Sequence, residues 1–135
     1  MAYKIDVIEG IGPSYKKKLE AAGIFTTDDL LGSCADVKGR KKVAKETGID
    51  KSVLLKWVNM ADLMRISGIA GQFAELLTAS GVDTVKEFRN RNPKNLAAKM
   101  AEVNGKKKLT KAVPAVKVVE KWIAAAKGLK PVISH

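Results

Sequence analysis

The chain has 135 residues but only one cysteine and one histidine. Cys34 has no second cysteine to pair with, and no Cys/His cluster lies near it in sequence. An internal disulfide is therefore excluded, a zinc site is not expected, and a reducing, cytoplasmic setting is expected. The histidine is His135, the last residue, which argues against a His-based catalytic pair, and we expect no metal and no cofactor. No apolar run approaches the roughly 20 residues that span a bilayer, and Met1 to Asp6 lack the apolar core of a signal peptide, so no membrane partner is expected. Aromatic residues are scarce, at 5% against 46% hydrophobic residues overall, and no stretch alternates β-branched with polar positions, which excludes a sheet protein and leaves a helical one.

Acidic residues are also in short supply. The chain holds 25 Lys and Arg against 14 Asp and Glu, a formal charge of +11, and such an excess attracts polyanions. The imbalance is local: residues 1–64 carry a net +2 and residues 65–135 a net +9.

What the chain has in abundance is itself. Gly10-Ile11-Gly12-Pro13-Ser14-Tyr15-Lys16-Lys17-Lys18-Leu19 is echoed, 58 positions on, by Gly68-Ile69-Ala70-Gly71-Gln72-Phe73-Ala74-Glu75-Leu76-Leu77. Further along, Val53 to Val58 are answered by Val118 to Ile123, each set carrying a tryptophan, Trp57 or Trp122. The punctuation repeats too. Gly12-Pro13 starts a helix that Gly23 ends, and Thr26 with Asp29 opens the next; Gly81, Thr84 and Glu87 repeat the pattern. A polar, turn-rich stretch then runs from Gly32 to Lys42, before a short helix around Val43 to Thr47. Asp50 caps a long helix over 51–65. Asn92-Pro93 opens a helix to about Val103, and Pro114 starts the last one. The fold expected is all-α: a compact single domain of two pseudo-repeats, 1–64 and 65–130, sharing one core, with 131–135 as a tail. The tryptophans are expected in the core, packing across the repeat.

A Gly-hydrophobic-Gly turn between helices leaves the amides that open the second helix unpaired and outward, where a phosphate oxygen fits. Such a contact reads backbone and not bases. Gly10, Ile11, Gly12, Pro13 and Ser14 form this element in the first copy, with Lys16 and Lys17 beside it, and Gly68, Gly71 and Gln72 are its counterparts in the second. Two basic runs, Lys38-Arg40-Lys41-Lys42 in a glycine-containing loop and Lys106-Lys107-Lys108-Lys111, occupy equivalent parts of the repeats and would form a shared electrostatic face.

Gly10-Ile11-Gly12-Pro13 and Leu19 resemble the turn and the later apolar anchor of the helix-hairpin-helix superfamily, found in DNA polymerase β and DNA glycosylases. The whole chain resembles the bacterial family known as domain of unknown function 4332, through Leu54 to Val58, Ala61 to Ile66, Ala74 to Leu77, Gly81 to Val85, Arg91 to Leu96 and Val118 to Ile123. The superfamily resemblance implies phosphate contact. The family resemblance implies a fold and no activity. Against the superfamily pattern, Ser14 and Lys16 stand where a basic residue and an alanine are usual, and Ala70 stands for the second turn glycine. An Ala70 forced to positive φ would reshape that turn and remove its phosphate site. The function expected is non-enzymatic, sequence-independent binding of nucleic acid, double-stranded DNA first. The alternatives are a protein-interaction or oligomerisation module, docking a larger DNA- or RNA-processing protein or a second copy, and a binder of structured RNA.

Overall fold

The computed structural model describes residues 3–135 and is all-α. A 3-10 turn (Ile5–Val7) precedes α1 (Pro13–Ala21), α2 (Thr27–Cys34), α3 (Val37–Thr47), α4 (Lys51–Leu63), α5 (Gly71–Ala79), α6 (Val85–Phe88), α7 (Pro93–Lys107) and α8 (Val116–Lys127). Among the described residues the only β pairing is an isolated bridge between Lys4 and Thr26.

N-capping side chains set four of the eight α-helix starts among the described residues. Thr26 Oγ1 accepts from Asp29 N at 3.1 Å while the Asp29 carboxylate accepts from Phe25 N and Thr26 N, both at 3.0 Å, which closes the capping box of α2. Those donors, Phe25 N foremost, hold the Asp29 carboxyl below its ordinary value. Asn92 caps α7 through Asn95 N, and Asp50 caps α4 through Ser52 N.

Three boundaries differ from expectation. Asp36 accepts from Gly39 N at 2.6 Å and so starts α3 at Val37; Lys38 to Lys42 therefore lie on a helix and not in a loop. α7 runs through Gly105 to Lys107 and ends on Lys108, the one non-glycine residue at positive φ (52°) among the described residues. α8 begins at Val116, two residues after Pro114.

α4 is the axis of the core. Trp57 through Leu63 are buried without interruption, because α4 meets α2 and α3 on one side and α5 on the other. The second half repeats the scheme, with α7 and α6 against α8 and α5 against α7. Leu54, Leu63, Leu76, Phe88 and Met100 are fully buried, each contributing about 1.5–3 kcal/mol of transfer free energy. The tryptophans are core residues, as expected. The aromatic neighbour of each lies in its own half: Trp57 meets Tyr15 edge-on at 5.0 Å and Trp122 meets Phe73 at 5.4 Å.

Candidate nucleic-acid interface

Each hairpin is built on an indole. Gly10 has φ 97°, and a Cβ there would stand 3.3 Å from Trp57 Nε1; Gly68 has φ 92° and the same 3.3 Å relation to Trp122 Nε1. Ile11 and Ile69 then turn into the core. The next residue is extended backbone in both: Gly12 at φ −87°, ψ −174° and Ala70 at φ −103°, ψ −172°. Any residue adopts that conformation, so Ala70 carries no strain and the second turn keeps its shape, contrary to expectation.

No side chain caps α1 or α5. The amides of Gly12, Ser14 and Tyr15 at one site, and of Ala70, Gly71, Gln72 and Phe73 at the other, have no hydrogen-bond partner among the described residues. The second site has one more donor because Pro13 has no N–H. Gly71 is nonetheless a joint between the halves: it is buried, and a Cβ there would collide with the Val7 carbonyl oxygen.

The two basic runs behave differently. In the second, Lys108 and Lys111 line one concavity of about 460 Å³ with Gln72, Asn104 and Thr110, so the cations gather at the start of α5. Buried Asn104 shapes this loop, donating Nδ2 to Thr110 O at 3.0 Å and accepting from Thr110 N at 2.9 Å, while Lys108 N bonds Asn104 O at 2.8 Å. Sequence reasoning missed Asn104 and Thr110, whose only signal was an Asn-Gly pair ahead of the lysines. Lys106 pairs with Glu102 at 3.9 Å, and Lys107 lines a separate hollow with Lys56, Glu75 and Thr78. Burial, with Glu9 adding to it, raises the Glu75 carboxyl above its ordinary value. Glu9 also lines the shallow concavity on the other side of Gln72, beside Gly68 and Ala70, and opposes an anion there.

The first run lies away from its hairpin. Lys38 and Lys42 share a concavity with Ala22 at the C-terminal end of α1 and with Asp36 and Glu46, about 13 Å along the helix from Pro13. Arg40 is no surface cation, being 4% exposed. Its guanidinium donates to Cys34 O (2.9 Å), Ala35 O (3.0 Å) and Ser134 O (2.6 Å). Arg40 therefore lies in the interior and not on the basic face expected of it, whereas Lys41 is exposed. Beside the first hairpin itself, Lys16 pairs with Asp6 at 3.5 Å, Lys18 lies over the Tyr15 ring, and Lys17 is exposed.

Cys34 is fully buried, and burial pushes its thiol up to about 11, which keeps it protonated and unreactive at neutral pH. Among the described residues no three His, Cys, Asp or Glu side chains gather to hold a metal ion, and no helix is long and apolar enough to cross a membrane.

The model of the family described as Domain of unknown function (DUF4332) matches residues 9–129, and the chain belongs to that family. No curated protein and no solved structure matches the chain.

Proposed function

We propose that this member of the DUF4332 family is a helix-hairpin-helix binder of nucleic acid, double-stranded DNA foremost, that neither reads base sequence nor catalyses a reaction. One observation carries the reading: the uncapped start of α5 opens beside the concavity that holds Lys108 and Lys111. Free amides and the helix dipole favour a phosphate there, and two ammonium groups add a salt-sensitive attraction. The first hairpin presents the same backbone with fewer free cations, and serves as the second, weaker contact.

Titration against a labelled random-sequence DNA duplex by fluorescence anisotropy, at two salt concentrations, tests this. Lys108→Gln/Lys111→Gln should weaken binding alike on every sequence and lower the salt slope by about 2. Competition with structured RNA separates the two nucleic acids. No binding by the parent at low salt overturns the reading.

A protein-interaction module is the second reading, and one observation favours it. The basic runs line separate concavities, one of them shared with Asp36 and Glu46, where a single polyanion face would gather them.

A further inference from the structure

Arg40 satisfies its buried charge partly on a residue 94 positions away, and that contact belongs to a larger arrangement. After α8 the chain runs back across the molecule without helix or strand. Arg65 Nη1 bonds Lys130 O at 2.9 Å while also holding Asp62 Oδ1 at 2.8 Å. Four residues on, Ser134 O takes Arg40 Nη2 and Ser134 N donates to Ala35 O at 2.9 Å. Between the two pins Ile133 packs against the core. Asp62 extends the first pin into the second half, because its other oxygen accepts Val85 N at 2.9 Å and caps α6 in place of Thr84.

We propose that residues 129–135 form a releasable strap latching the two halves together, with Arg40 as the catch. Three features distinguish a strap from a core segment. Lys130, Pro131, Val132, Ser134 and His135 are exposed, so little apolar surface holds it down. Its Pro131, Val132, Ile133 and His135 line a concavity of about 290 Å³ together with Asp62, Thr84 and Lys86, so it borders open space and not only packed core. Its polar anchors are backbone groups at two points, which water can replace one at a time. Segments with few apolar contacts open locally at far less than the free energy of global unfolding. The halves are also tied by α4 against α5, the Val7 backbone on Gly71, Asp62 on Val85 and one continuous hydrophobic core. Opening the strap therefore loosens the end of α2 and Arg40 while the shared core stays packed.

Cys34 reports on the latch, since its carbonyl accepts Arg40 Nη1 and the adjacent carbonyl accepts Ser134 N. Its native-state labelling by a thiol reagent at neutral pH should be slow in the full chain. It should be at least about tenfold faster in a chain ending at Gly128, and intermediate in Ser134→Pro, with helical content retained by far-UV circular dichroism. Unchanged labelling in both variants overturns the strap. Loss of helical content in both also overturns it, because the segment would then be part of the core. No nucleic acid enters this experiment, so its outcome and that of the DNA titration are independent.

Discussion

Replacing Arg40 by methionine tests whether this cation is structural. The substitution keeps an apolar stem of similar length but removes every guanidinium donor. Ala35 O retains Ser134 N as a donor, while Cys34 O loses its Arg40 bond and Ser134 O loses the link that holds the C-terminal segment. Bonds to a charged group contribute about 1.5–3 kcal/mol each. Against that sum stands the desolvation cost of burying a guanidinium, several kcal/mol, which methionine does not incur. The difference is a loss of about 3 kcal/mol, held down because the carbonyls left behind are neutral and no unpaired charge stays buried. For a chain of this size that lowers Tm by about 12 °C. Urea unfolding followed by circular dichroism should show a lower midpoint at unchanged slope, whereas Lys41→Met, one residue on and exposed, should stay within about 0.5 kcal/mol of the parent. An Arg40→Met protein as stable as Lys41→Met would refute the reasoning and return Arg40 to the surface cations.

Lys108→Gly should move stability and binding in opposite directions: relief of the left-handed conformation adds about 1 kcal/mol to the unfolding free energy, while loss of the ammonium weakens DNA binding in the anisotropy titration. Gly10→Ala and Gly68→Ala each combine positive φ with a close indole nitrogen and should cost about 1–2 kcal/mol or more. Gly12→Ala, at extended backbone with open space around it, should be near neutral in the same melts. Because burial raises the Cys34 thiol to about 11, its contribution to stability is whole below the ordinary thiol value of about 8.5 and is lost as pH rises through the folded value. The urea midpoints of the parent and Cys34→Ala should therefore converge between about pH 8 and about pH 11, and parallel curves would show the thiol to be hydrated in the folded chain.

The helices were legible in the sequence wherever punctuation is local. Thr26 with Asp29, Asn92-Pro93 and Asp50 each act within one turn, and all three cap as read. Where a start depends on a residue whose role is ambiguous, the reading slipped: Asp36 looks like loop polarity until it is seen accepting from Gly39 N. That slip moved the first basic run from a loop onto a helix, and helix register then turned Arg40 inward while leaving Lys38, Lys41 and Lys42 outward. No periodicity rule marks an arginine as buried; its partners include a backbone carbonyl near the far end of the chain. At Ala70 the physical reason is different. Of the two glycine positions in the turn only the first, Gly10 or Gly68, has positive φ, and there an indole nitrogen also stands 3.3 Å from where a Cβ would lie. The second position is extended, so alanine replaces glycine there without cost.

These corrections alter the balance between the two hairpins. The first has the sequence closer to the superfamily pattern, but Pro13 removes a donor, Asp6 engages Lys16, and Lys38 and Lys42 lie at the far end of α1. The second has four free amides and a concavity with two lysines, in the half of the chain that carries a net +9. Attraction and backbone geometry thus lie nearer each other at α5, where Glu9 still opposes an anion beside Gly68 and Ala70, than at α1. If both contribute to binding, Lys108→Gln/Lys111→Gln must cost more affinity than Lys16→Gln/Lys17→Gln, though each pair removes the same charge. Equal losses would mean that net charge alone drives association and that the hairpins do not position the phosphate. A larger loss at the second site is the outcome expected of a helix N-terminus supported by nearby cations.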